Sequence, residues 1–305
     1  MLPPGFTDPR GLRVGMADMS VEEALEKYGP SEITREDIVE MDDPGFAPEN
    51  VALVTGAASG IGRATALCLA GNGLTVAGVD VDGDGLESVA DRAAELDLPG
   101  RIEPVPGDLT DDADVERVVE EAADLGQLRY LANVAGLQHI SSIDEFPMEQ
   151  YDRMHAVMQR APLLLTKRCW PHFEDGGRGH VGNMCSVHGH VVTHDKVAYN
   201  TVKFGLRGLT QSIAAEGDGD VRAFSVSTGY VKTELVAKQL PDSADSRGLT
   251  VDETVEQVML GHTRVKEMME PYEVGNLFVM GFSEHSKHLD GGDLTYEGGM
   301  SLTYE

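Results

Sequence analysis

Tyr199 and Lys203 stand four residues apart in the run YNTVK. On a helix that spacing puts both side chains on one face, one turn apart, where they can reach a single ligand. A phenol is a poor base at neutral pH, since its ordinary pKa is about 10. An ammonium group beside it, together with a positively charged ring in the bound ligand, favours the phenolate and brings its proton exchange nearer to working pH. Removal of hydride from an alcohol needs such a base. Ser186 lies thirteen residues before the tyrosine, at the end of HVGNMCS. If that run is a strand, the serine sits at its carboxyl edge, where open parallel sheets hold ligands, and its hydroxyl can hold a reacting oxygen beside Tyr199.

A second constellation points to a dinucleotide. The run VALVTGAASGIGRATALCLA reads as a strand, a glycine-rich turn and a helix. Gly56, Gly60 and Gly62 fall where backbone must approach a pyrophosphate at a helix N-terminus, and a side chain there would block the contact. The three residues between Gly56 and Gly60 depart from the GxGxxG spacing. Past this turn the run LTVAGVD ends at Asp80, whose carboxylate can accept hydrogen bonds from the adenosine ribose and would repel a 2'-phosphate. No Lys or Arg follows in VDGDGLE, so the predicted cofactor is NAD and not NADP.

These residues need a scaffold, and the chain supplies a regular one. From Val51 onward the β-rich runs VALVTG, LTVAGVD, IEPVPGD, LRYLANVAG, HVGNMCS and VRAFSVST alternate with helical stretches. The alternation predicts a doubly wound Rossmann fold, an α/β sheet of about seven parallel strands with helices on both faces. In VAYNTVKFGLRGLTQSIAAEG, Val202, Leu206, Leu209 and Ile213 form the apolar stripe of a helix. Residues 1–48 are rich in Pro, Gly and acids and carry one helix signature, SVEEALEKYG, with Ser20 as N-cap, Glu23 completing a capping box and Gly29 as the stop. They read as an acidic extension in front of a dinucleotide-binding domain over 49–305.

Composition narrows the partners. The 305 residues carry 52 acidic against 24 basic side chains, a formal charge of -28, which opposes nucleic acid and anionic membranes as partners. With 8 lysines against 16 arginines and the acids spread along the chain, the surface suits a high-salt milieu. Cys68, Cys169 and Cys185 are odd in number and far apart, which excludes a disulfide framework and fits a reducing cytoplasm. MLPPGFTDPRGLRVGMADMS lacks the apolar core of an export signal, and no apolar run reaches membrane-spanning length. His188, His190 and His194 are close together, but no acid or cysteine completes a familiar metal spacing, and no metal is expected.

Taken together, TGxxxGIG at 55–62, Asp80, Asp108 with Leu109, Asn133 in NVAG, and the serine thirteen residues ahead of YxxxK resemble the short-chain dehydrogenase/reductase family over about residues 50 to 300. The resemblance implies a catalytic set of Ser186, Tyr199 and Lys203. It implies cofactor contacts from Gly56, Ser59, Gly60, Ile61, Gly62, Asp80, Asp108, Leu109, Asn133, Gly136, Tyr199, Lys203, Val231 and Thr233. Within this set Asp108 and Leu109 would meet adenine, Asn133 would brace the central strand, Lys203 would also hold the nicotinamide ribose, and Thr233 would meet the carboxamide. A homotetramer is implied as well.

GLQH, SVHG, DKVAY and GYVKTELVAKQ further resemble the branch of that family that acts on 3-hydroxybutyrate. That likeness implies that Gln138, His188, Lys196 and Gln239 surround a substrate carboxylate, offering two amides, an imidazole and an ammonium. The expected reaction is NAD-dependent interconversion of a small 3-hydroxy acid and its 3-keto acid. Two other readings stay open: the same chemistry on another small carbonyl or alcohol, and a dinucleotide-binding regulatory protein without turnover. Met158, Phe224 and Thr228 depart from the family pattern, which has Asn, Asn and Pro there. Met158 stands where the Asn would anchor a water for proton release.

Overall fold

The computed structural model describes residues 18–302; the first part of the expected extension, residues 1–17, and the last three residues lie outside them. Seven parallel strands form one sheet in the order β3-β2-β1-β4-β5-β6-β7. They are β1 (Asn50–Thr55), β2 (Thr75–Asp80), β3 (Arg101–Pro106), β4 (Gln127–Asn133), β5 (Gly179–Met184), β6 (Val221–Thr228) and β7 (Gly292–Tyr296). The first six are the predicted β-rich runs. The seventh, GDLTY, is short and half-exposed at the sheet edge, and lacks the apolar pattern that marks the others.

The helices are α1 (Val21–Tyr28), α2 (Gly60–Gly71), α3 (Gly83–Glu95), α4 (Asp112–Asp124), α5 (Met148–His155), α6 (Ala161–Asp175), α7 (Val197–Gly217), α8 (Glu234–Arg247), α9 (Val251–Glu253) and α10 (Pro271–Phe282). Strand residues alternate between two packed faces. Val51 and Leu53 of β1, Ala77 and Val79 of β2, Leu131 of β4 and Val181 of β5 share one core with Val115, Val118 and Val119 of α4, Leu165, Cys169 and Phe173 of α6 and Ile213 of α7. On the opposite face α10 lies against α2, so close that a Cβ on Gly275 would come 2.8 Å from Cys68 Sγ. Cover on both sides explains why β1, β5 and β6 are buried along their whole length. Among the described residues no helix is long and apolar enough to cross a membrane.

Strand order reverses between β1 and β4, and such a switch point opens a crevice at the carboxyl ends of the strands. Phe224, where the family pattern has Asn, is buried against Phe278 and Phe282. Its ring fits because positions 182 and 281 are glycine; a Cβ on Gly281 would come 2.3 Å from it.

The chain divides into two units, and the division does not follow a boundary at 48/49. The larger unit, Ile33–Thr228 with Tyr272–Tyr296, takes in the last third of the expected extension; its apolar Ile33, Ile38 and Phe46 are buried. Asp43 fixes this stretch by accepting hydrogen bonds from Ser283 Oγ at 2.7 Å and from the Glu284 and Gly45 amides. The smaller unit joins residues 18–32 to Gly229–Pro271 and 297–302. Its core holds Ala24, Leu240, Ala244, Val251, Val255, Met259, Leu260 and Met268.

Candidate active site

The glycine turn connects β1 to α2. Gly56 has φ +70°, and a Cβ there would lie 2.8 Å from the Cα of Ala135, the residue that leads the chain away from β4. At Gly62, in the first turn of α2, a Cβ would lie 1.9 Å from the carbonyl oxygen of Gly56. Turn and helix therefore touch backbone to backbone, and the N-terminal amides of α2 are brought close to the crevice. Ser59 is the N-cap of α2, its hydroxyl making no capping bond, while Gly60 and Ile61 open the helix.

Asp80 ends β2. Its carboxylate accepts from the Ala58 amide at 3.3 Å and from the Asp82 amide at 3.2 Å, so it steadies the glycine turn and still has lone pairs for a ribose. Asp108, after β3, is exposed and receives the Thr110 amide and hydroxyl. Leu109 is buried and packs in the sheet core.

Behind the switch point runs a buried polar chain. Asn133 Nδ2 donates to Asn183 Oδ1 at 2.8 Å, Asn183 Nδ2 donates to Thr210 Oγ1 at 2.9 Å, and Thr210 Oγ1 donates to the Leu206 carbonyl. Asn133 and Asn183 are register partners on β4 and β5, so the chain ties the central strands to α7. Thr55, which sequence reasoning did not single out, accepts the Val134 and Ala135 amides at 3.0 and 3.1 Å and holds the end of β4 to β1. Its signal was its place directly before Gly56.

Ser186, Tyr199 and Lys203 lie near one another. Ser186 follows β5, is buried, and lies near enough to the Tyr199 phenol to lower it. Lys203 Nζ lies 5.3 Å from the Tyr199 ring centre and donates to the Met184 carbonyl at 2.7 Å. Burial holds the lysine down to about 8, against the pull of Cys185. Burial also pushes the phenol up to about 12, outweighing the lowering from Ser186. In the protein alone, then, desolvation dominates and the lysine does not by itself produce a phenolate.

Of the four residues assigned to a carboxylate, Gln138, His188 and Lys196 belong to the larger unit. Ser141 pairs with Lys196 in a short parallel bridge, and its amide donates to the Asp195 carbonyl at 2.9 Å. This links the loop that carries Gln138 to the entry of α7. Asp195 takes the left-handed conformation, φ +64°, which is uncommon for a residue with a side chain. His188 is buried, its Nδ1 3.2 Å from Ser186 Oγ and its Nε2 2.9 Å from Thr193 Oγ1. Burial first, then the Lys196 and Lys203 charges, lowers the imidazole to about 4. It is thus a neutral ring bracing the serine, and not a cation.

The neighbouring histidines do not converge. His190 Nε2 meets Asp293 Oδ2 at 2.8 Å and Ser227 Oγ at 3.2 Å, away from the contacts of His188. Gly136 faces Met158, where a Cβ would lie 3.6 Å from the sulfur. Met158 lies in a widened π-helical turn, Ala156–Arg160, between α5 and α6; it is fully buried, and its Sδ accepts the Leu137 amide at 3.4 Å.

Val231, Thr233 and Gln239 belong to the smaller unit. Val231 is buried and pairs with Met269; Thr233 caps α8 by accepting the Val236 amide at 3.2 Å; Gln239 is half-buried on α8.

Comparison with known proteins agrees with this geometry. The family model described as short chain dehydrogenase matches residues 50–244. A D-beta-hydroxybutyrate dehydrogenase of Rhizobium meliloti is 33% identical over 254 residues, 82% of this chain and 98% of that protein. An uncharacterized oxidoreductase of Bacillus subtilis is 34% identical over 83% of this chain and 98% of its own. A short-chain type dehydrogenase/reductase from Mycobacterium marinum superposes with a TM-score of 0.75 at 26% identity, covering 85% of this chain and 98% of that one. The glycine turn, Ser186, Tyr199 and Lys203 all fall inside the matched stretch, and the chain belongs to the short-chain dehydrogenase family of oxidoreductases.

Proposed function

We propose that the protein interconverts a small 3-hydroxy acid, 3-hydroxybutyrate, and its 3-keto acid, acetoacetate, with NAD. The observation that carries this reading is the joint presence of the Ser186–Tyr199–Lys203 cluster and, on the loop between Ser186 and α7, His188 and Lys196. A relative that shares 33% identity bears the name of that activity. The glycine turn and the Asp80 carboxylate fit a dinucleotide without a 2'-phosphate. When bound, NAD supplies the hydride acceptor and a positive ring.

Ser186 holds the substrate hydroxyl. Tyr199 takes its proton as hydride leaves the same carbon, and returns it in the reverse direction. Lys203 would hold the ribose, and Ser186 lowers the phenol against the desolvation that keeps it protonated. Because His188 is neutral, the positive charge opposite the substrate carboxylate comes from Lys196, with Gln138 and Gln239 as neutral donors. The enzyme is assigned to the cytoplasm and, as a member of this family, to a homotetramer.

The test is NADH formation across a panel of 3-hydroxy acids, other hydroxy acids and neutral alcohols. Turnover with 3-hydroxybutyrate is expected, its loss in Tyr199→Phe, and a narrower preference for NAD over NADP in Asp80→Ala. Oxidation of neutral alcohols alone would overturn the substrate assignment, and an unchanged cofactor ratio would remove Asp80 from the site.

A further inference from the structure

The smaller unit contains a helix that lies outside the matched family region, which begins at residue 50. Helix α1 has eight residues, too few to be stable alone in water, so its packing must hold it. Its N-terminus is closed by a full capping box: Ser20 Oγ accepts the Glu23 amide, and Glu23 Oε2 accepts the Ser20 amide. Ala24 is wholly buried in one cluster with Leu240 and Ala244 of α8 and Val251 of α9, with Met19 and Tyr28 packed at its edge. Small side chains at positions 24 and 244 fit close approach of the two helices.

Polar ties reinforce the contact across more than 220 residues of sequence. Tyr28 Oη donates to Asp252 Oδ1 at 2.5 Å, and Lys27 Nζ reaches the same carboxylate at 2.7 Å. The Val251 amide, which a helix start leaves without an internal partner, donates to Asp18 Oδ1 at 2.9 Å. The Ser31 amide and hydroxyl donate to Glu270 at 3.0 and 3.2 Å. Helix α8, by contrast, has a proline, Pro241, inside it, which removes an internal hydrogen bond.

We propose that α1 is a buttress for α8: through Ala24, packed in one cluster with Leu240 and Ala244, and through Tyr28, bonded to Asp252 of the adjoining α9, it holds the helix that carries Gln239 in the conformation that sets substrate affinity. This rests on the reading of Gln239 as a substrate ligand. Ala24 and Tyr28 are positioning residues and touch neither substrate nor cofactor.

The experiment measures amide hydrogen exchange over 234–260 and the KM for 3-hydroxybutyrate in the full chain, for native protein, Tyr28→Phe, Ala24→Asp and Gln239→Ala. Ala24→Asp puts a charge into the cluster and is expected to speed exchange in α8 about tenfold and to raise KM severalfold. Tyr28→Phe removes one hydroxyl without disturbing packing, and is expected to do both to a smaller extent. It keeps the test decisive should Ala24→Asp unfold the whole chain. In each, exchange in β1 to β5 stays native and kcat changes less than KM. Unchanged exchange in α8 in Tyr28→Phe, and in Ala24→Asp where it folds, overturns the buttress, as does faster exchange with native KM while Gln239→Ala raises it. If Gln239→Ala leaves KM native, the substrate reading itself fails, and the exchange data show this separately.

Discussion

At the scale of single residues, ionisation departs most from what residue type alone suggests. His188 has its imidazole lowered to about 4 in the folded chain, against about 6.5 when unfolded. Between those values the unfolded state binds the extra proton, so stability is intact above about pH 6.5 and falls as pH drops toward 4. His180, fully enclosed and beside Arg222, Arg178 and Arg129, is shifted the same way. For His188 the expected loss over that window is about 3 kcal/mol. Urea midpoints of native protein and His188→Asn at pH 7, 5.5 and 4.5 check it. The variant should show a shallower decline, and an equal slope would mean the imidazole is not held neutral. Met158 poses a different question, since its sulfur takes the Leu137 amide within a cluster that the Tyr199 ring packs against. Met158→Asn is expected to leave the Kd for NAD within about threefold and to move the pH profile of kcat/KM, because hydride transfer and outward proton release use different groups. A native protein that binds NAD without turnover, and gains it in Met158→Asn, would instead support a regulatory role.

At the scale of elements, the site depends on how tightly turn, strand and helix approach one another. The gap between the first turn of α2 and the Gly56 carbonyl leaves no room for a methyl group, a Cβ at position 62 falling 1.9 Å from that oxygen. Gly62→Ala must therefore push α2 away from the turn. The expected cost is about 1–3 kcal/mol of stability, as for other overpacked sites, together with a loss of at least about tenfold in NAD affinity, since the amides of the turn must converge on one pyrophosphate. Thermal melts and a fluorescence titration with NADH measure the two. Native affinity in a destabilised variant would place the pyrophosphate elsewhere. The same closeness recurs from β5 to α7, where the Asn133–Asn183–Thr210 chain holds the tyrosine helix to the sheet.

At the scale of the whole molecule, charge dominates. A formal charge of -28 repels itself at low ionic strength, and ion pairs such as Arg117 with Asp114 and Glu121, or Lys238 with Glu234, lie on the surface, where each contributes only about 0–1 kcal/mol. Raising potassium chloride from about 0.1 M to about 1 M shortens the Debye length to about 3 Å and relieves that repulsion. The Tm is expected to climb over this range in differential scanning calorimetry. A flat or falling Tm would sink the idea that the acidic surface is a salt adaptation.

Local pattern was enough for six strands, for α7 from Val197 to Gly217, for the capping box at Ser20 and for the grouping of Ser186, Tyr199 and Lys203, because periodicity and i,i+4 spacing are written in neighbouring residues. It could not find β7, whose five half-exposed residues become a strand only by pairing with β6. Nor could it show that residues 18–32 share a core with 229–271, since nothing near Ala24 says which distant apolar face will cover it. His188 makes the same point from the site: burial holds its ring neutral down to about pH 4. Burial and the nearest charges decide such outcomes, and both are set by chain segments far away in sequence.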